Sequence, residues 1–259
     1  MVVPISCLPV RQRPSHRSEQ VTEWILGEIL SLGENEGGWV RAVGPDGYEG
    51  WVPSGPFEAA VVDASAWERE ATLFSIGTGI AGARFERLPW GARLRQVEGG
   101  RVALPDGREV VPDDGRRLVG AGERELLFPP VGAALVGTAR DWLGVPYSWG
   151  GRSERGADCS GFVQSVFRLH GVSLPRDSRQ QRAVGEELVT GARPREGDLL
   201  FFAPGGGPIS HVAVSTGGSR IIHAASGNGG VREEDLGGNG PSARLLKPSV
   251  VAVTRLLAG

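Results

Sequence analysis

GADCSGFVQSVFRLHG, residues 156–171, sets out a helix with a cysteine in its first turn. Asp158 stands where an N-cap belongs, because a short side-chain oxygen can take one of the N–H groups that a helix start leaves unpaired. Gly171 stands where the helix should stop. Between them Phe162, Val163, Val166, Phe167 and Leu169 fit one buried face. The spacing predicts a helix over 158–171. Cys159 then lies at the positive end of the helix dipole, a setting that favours a thiolate. Taken alone the residue has three readings: a buried small hydrophobe, the usual fate of a free thiol, a metal ligand, or a nucleophile.

The pattern on either side gives the fold class. GAALVGTARDWLG (132–144) has apolar spacing near 3.6 and ends at a glycine, so it predicts a helix. The loop VPYSWGGRSERGA separates it from the cysteine helix, and DSRQQRAVG (177–185) predicts a third, short helix. Strands follow: GDLLFFA (197–203), SHVAVST (210–216), RIIHAAS (220–226) and SVVAVTRLL (249–257). Helices first and then an antiparallel sheet is an α+β arrangement.

The chain has four histidines: His16, His170, His211 and His223. Two of them, His211 and His223, lie in consecutive strands joined by a Gly-Gly-Ser turn, which sets them side by side on one face. One imidazole can serve as base towards Cys159, and the second can orient the first. Zinc held by Cys159, His211 and His223 is the competing reading, although no C-x-x-C or H-x-x-x-H clip supports it. His170 precedes the Gly171 stop, where it reads as a structural complement to the helix end.

The first half carries a weak internal repeat. GGWVRAVGPDGYEGWVP (37–53) is similar to GGRVALPDGREVVP (99–112), and WILGEILSL (24–32) pairs loosely with PWGARLRQV (89–97). Asp-Gly between alternating segments predicts a hairpin in each copy. The repeat spacing predicts two β units of about 60 residues each, too small for a large core of their own. The double proline in ERELLFPPVG (123–132) reads as a boundary. The expected domains are therefore 1–62, 63–128 and 129–259.

Composition bounds the partners. The chain is 40% hydrophobic and 22% charged, with a net charge of -2 and a pI near 6.1. This balance offers no electrostatic footprint for nucleic acid or an anionic membrane. Cys7 and Cys159 are too few for a disulfide framework, and Cys7 reads as a buried structural thiol. The start, MVVPISCLPVRQRPSHRSEQ, lacks a basic n-region and an A-x-A site. The expected location is cytoplasmic, with a secreted protein trimmed of its leader as the alternative.

These motifs together carry a resemblance. YSWGG, DCSGFV, LPRDSRQQ, GDLLFF, SHVAVSTG and IIHAAS, in that order over residues 131–257, resemble the NlpC/P60 cysteine peptidases of bacterial cell-wall metabolism. The resemblance implies a papain-like domain with Cys159 as nucleophile, His211 as general base and His223 as orienting residue. It implies that Tyr147 lines the site near the oxyanion, and that Asp158, Ser160 and Ser178 contact substrate. DGYEGWVP resembles the end of a bacterial SH3 domain; in the second copy Val110-Val111 replaces Gly-Trp. Two SH3-like barrels before such a catalytic domain resemble the γ-D-glutamyl-L-diamino acid endopeptidases of muropeptide recycling.

That likeness implies a substrate, L-Ala-γ-D-Glu linked to meso-diaminopimelate or L-lysine, with a free N-terminal L-alanine. An acid of the first domain would meet the amine, because a buried ammonium needs a paired charge. Glu19 is the candidate, Glu23 and Glu28 are its rivals, and Tyr48 is a companion. No metal or organic cofactor, no nucleic acid and no membrane is expected, and the expected state is a monomer. Two alternatives stand beside this reading: a lytic hydrolase or amidase acting on intact peptidoglycan, and a non-catalytic wall-binding protein.

Overall fold

Alternating apolar residues on either side of Asp-Gly turns fold the first half into antiparallel ribbons in the computed structural model. The structure describes residues 1–58, 62–189 and 191–257, with Phe85 described by its backbone alone. Strands β1 (Cys7–Arg11), β2 (Gln20–Ile25), β3 (Ser31–Glu36), β4 (Trp39–Val43) and β5 (Glu49–Pro53) form a sheet in the order β2-β1-β5-β4-β3. The Pro45-Asp46-Gly47 turn joins β4 to β5, with the Gly44 N–H donating to the Tyr48 carbonyl at 2.9 Å. Gly47 takes φ 77° there, a conformation that costs a residue without Cβ nothing.

Helices α1 (Gly55–Glu58) and α2 (Ala64–Glu70) follow. Then come β6 (Leu73–Ser75), β7 (Thr78–Ile80), β8 (Ala83–Leu88), β9 (Arg93–Gln96), β10 (Val102–Ala103), β11 (Glu109–Val110) and β12 (Leu118–Gly120). The second sheet runs β11-β10-β9-β6-β12, and β7 pairs with β8. Its Asp-Gly turn closes β10 onto β11, with the Leu104 N–H donating to the Arg108 carbonyl at 2.8 Å.

Neither sheet closes into the expected barrel among the described residues. Among the described residues, the outer strands β2 and β3 of the first sheet do not pair with each other, nor do β11 and β12 of the second. The physical reason is visible in the strands. All six residues of β3 are exposed and Leu32 is its one large apolar side chain, so closing on it would bury little, and β10 and β11 are only two residues long.

The chain divides into two units, Met1–Arg124 and Glu125–Gly259. Within the first, Ile25 and Leu26 from the leading half join Ile80, Leu88, Leu94 and Val102 in one core, with Cys7 packed against it. The first sheet also encloses a core of its own, with Leu8, Val10, Trp24, Val40 and Val52 in it, so the core around Leu88 and Leu94 is a second one that both halves build.

The second unit opens, after α3 (Ala121–Leu127), with α4 (Gly132–Asp141). It continues through β13 (Arg152–Ser153), β14 (Gly156–Ala157), α5 (Cys159–Leu169), α6 (Ser178–Arg182), β15 (Glu186–Glu187), β16 (Glu196–Phe202), β17 (His211–Thr216), β18 (Arg220–Ala225), β19 (Gly230–Asp235), α7 (Pro241–Leu246) and β20 (Val250–Arg255). Its antiparallel sheet runs β15-β20-β16-β17-β18-β19, and α4 and α5 pack on it. This is the expected α+β order; β19 and α7 are additions to it.

Phe162, Val163, Val166 and Phe167 of α5 are fully buried. Each contributes about 1.5–3 kcal/mol, a sum comparable with a domain's net stability of ~5–15 kcal/mol. The helix that carries Cys159 is therefore anchored by the core rather than by its own propensity.

Candidate active site

Asp158 is the N-cap the sequence predicts, its Oδ1 accepting from the Gly161 N–H at 2.8 Å. It does more than cap. Its Oδ2 accepts from the Gly150 N–H at 2.9 Å, tying the Gly-Gly loop to the helix start. Arg176, fully buried, forks onto both oxygens at 3.0 and 2.6 Å. Ser160 donates to Oδ1 at 3.3 Å and accepts from Arg176 at 2.8 Å. Asp158 and Ser160 are thus engaged in fixing where α5 begins.

The motif glycines have a steric reason. A Cβ on Gly161 would lie 2.1 Å from the Gly151 carbonyl oxygen, so the loop and the helix can approach this closely only without side chains. Gln181 of α6 adds a clamp, donating to the Ser160 carbonyl at 3.0 Å and the Pro175 carbonyl at 2.9 Å. Ser178 is buried at the first position of the same helix.

These contacts place the Cys159 thiol, 9% exposed, beside the start of β17. The backbone N–H groups of Val212 and Ser160 reach the sulfur. Burial nonetheless pushes the thiol up to about 11, with the Asp158 carboxylate adding to it, against the opposing pull of those N–H groups and of Arg176. Desolvation therefore works against the thiolate that the helix N-terminus favours. Tyr147 sits in the same field. Its phenol is pushed up to about 12, first by burial, then by Cys159 and Asp158. A backbone segment pinned between Ala157 and Gly229 holds it there, with the Tyr147 N–H donating to the Gly229 carbonyl at 3.1 Å.

The two strand histidines meet as expected, and the register shows how. Val214 pairs with Ile222 and Ser215 with Ile221; continuing that register sets His211 diagonal to His223 on one face, within reach of side chains. His211 Nε2 and His223 Nδ1 are 2.8 Å apart. Burial pushes His211 down to about 3, and His223 adds to the shift. Burial also pushes His223 down, opposed by Glu234.

One more diagonal step follows, because His223 pairs with Arg232 across β18 and β19. It brings Glu234 Oε2 to 3.2 Å from His223 Nε2. Glu234 escapes a reading of the sequence, since VREED looks like a solvated charge run; the register of β19 is the signal that finds it. A cavity of about 380 Å³ lies on this side of the site, lined by His211, His223, Asn228, Ser242, Leu245 and Leu246 among others.

The remaining candidates divide. In the first unit, Glu28 is buried and accepts from the Ile25 N–H at 2.8 Å, so it closes the turn after β2. Glu23 is buried within β2. Glu19 is exposed just ahead of that strand, its carbonyl accepting from the Gln12 N–H at 3.0 Å. Tyr48 is half-buried at the β4–β5 turn, its N–H donating to Asp46 at 3.1 Å. His16 packs edge-on against Trp39. His170 is buried between the Thr138 hydroxyl at 2.9 Å and the Pro129 carbonyl at 2.7 Å, a structural post, kept neutral by that burial. Among the described residues, no three of the His, Cys, Asp and Glu side chains are grouped so as to hold a metal ion.

A thiol at a helix start, beside a pair of linked imidazoles, is equipped for acyl transfer through a covalent intermediate. Residues 144–250 match the NlpC/P60 family. The second unit is an NlpC/P60 domain. Ahead of it, residues 10–55 match a bacterial dipeptidyl-peptidase Sh3 domain, which makes the first unit SH3-like in part.

Two curated relatives are named gamma-D-glutamyl-L-lysine dipeptidyl-peptidase. The one from Bacillus cereus is 29% identical over 225 residues, 78% of this chain and 66% of that protein. The one from Bacillus subtilis is 42% identical over 92 residues, 35% of this chain and 31% of that protein. The chain therefore spans under two thirds of either relative. The crystal structure of an NlpC/P60 family protein from Bacillus cereus superposes with a TM-score of 0.80, at 21% identity, covering 99% of both chains. That likeness is one of fold.

Proposed function

We propose that this protein is a cysteine peptidase of peptidoglycan stem peptides. It cuts between γ-D-glutamate and the following L-diamino acid and releases the dipeptide L-Ala-γ-D-Glu. The observation that carries this reading is the 2.8 Å contact between His211 and His223 beside a thiol that faces the Val212 N–H. The names of the two relatives support the bond and the dipeptide product. Release of a dipeptide requires a free N-terminus two residues from the cut, which makes fragments of a dismantled wall the substrate. We place the reaction in recycling of those fragments, in the cytoplasm.

The mechanism follows from which atoms are engaged. His211 Nε2 faces His223, so Nδ1 is the nitrogen that takes the proton of the Cys159 thiol. The sulfur attacks the γ-carbonyl carbon. N–H groups at the start of α5 and the Tyr147 hydroxyl, kept protonated by burial, stabilise the oxyanion. The C–N bond breaks as the His211 imidazolium gives its proton to the leaving amine. Water, deprotonated by His211, then opens the thioester and restores the thiol. Because the leaving amine must lie at His211, the cavity beyond that residue receives the diamino acid.

Mass spectrometry of L-Ala-γ-D-Glu-L-Lys, its meso-diaminopimelate counterpart and their N-acetylated twins tests the reading. The expected result is dipeptide release from a free-amine peptide only, absent in Cys159→Ala. Equal cleavage of the acetylated twins, with activity on intact sacculi, would replace it with a lytic hydrolase. Wall binding without turnover of any of them would replace it with a binding protein.

A further inference from the structure

Glu234 is held in place from two sides. Its Oε1 accepts from Asn228 Nδ2 at 3.0 Å and from the Ser242 hydroxyl at 3.0 Å, leaving Oε2 aimed at His223 Nε2 at 3.2 Å. Asn228 lies in the turn between β18 and β19, and Ser242 on α7. Three separate segments therefore converge to fix one carboxylate oxygen against the second histidine. The side chain of His223 is 1% exposed, whereas that of Glu234 is 24% exposed. A carboxylate held there serves the buried ring more than its own burial.

We propose that Glu234 is a positioning residue that sets the proton arrangement of both histidines and so makes His211 a base. This inference rests on the peptidase reading above. A carboxylate can only accept, so it places the His223 proton on Nε2. Asn228 Nδ2, 3.3 Å from the same nitrogen, then spends its hydrogens on Glu234 rather than on the ring. With Nε2 protonated, His223 Nδ1 presents a lone pair, and His211 Nε2–H donates to it. Neutral His211 then carries no proton on Nδ1, the nitrogen that must receive one from Cys159.

The opposite arrangement disables the site. If His223 were protonated on Nδ1, it would donate to His211 Nε2, and the His211 proton would sit on Nδ1. That nitrogen could not then accept the thiol proton. The carboxylate has a second effect once the proton has moved: the imidazolium of His211 is linked through His223 to a negative charge. The relay steps diagonally across three neighbouring strands, from β17 to β18 to β19.

The test compares the wild type with Glu234→Ala and Glu234→Gln, labelled with 15N-histidine. With four histidines in the chain, long-range proton–nitrogen spectra read the tautomer of each ring. The wild type is expected to show both His211 and His223 as Nε2–H. Glu234→Ala is expected to move His223 towards Nδ1–H and to lower kcat by roughly ten- to a hundredfold at nearly constant KM, the usual cost of losing an outer partner. Glu234→Gln, whose amide oxygen still accepts, should recover the tautomer and only part of kcat.

An Nδ1–H form of His223 in the wild type overturns the proposal, as does Glu234→Ala with unchanged tautomers. If Glu234→Ala does not fold, the double variant Asn228→Ala, Ser242→Ala, which releases the carboxylate from its clamp, must show the same shift or the proposal fails. The spectra need no turnover, so failure of the peptide to react would count against the peptidase reading and leave the tautomer result standing on its own.

Discussion

Arg176 and Asp158 form a forked ion pair at 2.6 and 3.0 Å, with the arginine side chain 1% exposed. The pair lies at the start of the helix that carries Cys159, because Asp158 is the residue before it and caps that helix. Burying two charges gains little by itself, but removing one partner leaves the other stranded.

Arg176→Ala should therefore destabilise the protein by about 3–5 kcal/mol, read from urea unfolding. Arg176→Lys should recover only part of that, because an ammonium cannot fork onto both oxygens. An unfolding midpoint unchanged in Arg176→Ala would mean that the pair does not hold the helix start.

The reactivity of Cys159 with pH gives a second prediction. The thiol is pushed up to about 11 by burial and His211 down to about 3, so the resting pair is neutral thiol and neutral imidazole. Alkylation by iodoacetamide in the absence of substrate should climb about tenfold per pH unit from neutral pH towards 10, following the thiolate fraction. A rate already on a plateau near pH 5 would reveal a preformed thiolate–imidazolium pair and contradict this electrostatic picture.

Acid stability follows from the buried rings. His170, His211 and His223 are all held below the ordinary histidine value of 6.5, each mainly by burial. The unfolded chain takes up protons near pH 6.5 that the folded protein refuses, so stability is intact above that pH and is lost as pH falls below it. The urea midpoint should drop between pH 7 and pH 5. His170→Ala should cost ~1–3 kcal/mol by orphaning the Pro129 carbonyl and Thr138, make the pH dependence shallower, and leave kcat/KM intact. A midpoint that rises on acidification would contradict the prediction.

Much of the site was legible in the sequence because its determinants are local. Asp158 and Gly171 delimit a helix by capping chemistry, and the apolar residues between them sit at helical spacing, so Cys159 could be placed at the first turn. His211 and His223 could be paired because a short Gly-Gly-Ser turn fixes the strands on either side. Glu234 was illegible because its strand, GVREED, has no alternation beyond Val231; its place depends on register, which no residue of β19 announces. Arg176 reads as a surface charge until Asp158 is seen to lie over it.

The first unit was legible as hairpins and not as a whole. Both Asp-Gly turns form, since each needs only four residues to specify it. Closure into barrels depends on strands meeting at long range, and the polar β3 and the two-residue β10 and β11 give no local sign of it. The shared core of Ile25 and Leu26 with Leu88 and Leu94 explains why a repeat in sequence does not become two independent domains.

The central claim is a covalent intermediate on Cys159. Intact-protein mass spectrometry of acid-quenched reactions with L-Ala-γ-D-Glu-L-Lys, followed by peptide mapping, tests it most directly. The account predicts a transient thioester carrying the L-Ala-γ-D-Glu acyl group on the peptide that contains Cys159, absent from Cys159→Ala along with all turnover. Undiminished hydrolysis by Cys159→Ala, or an acyl group found on any other residue, would contradict it.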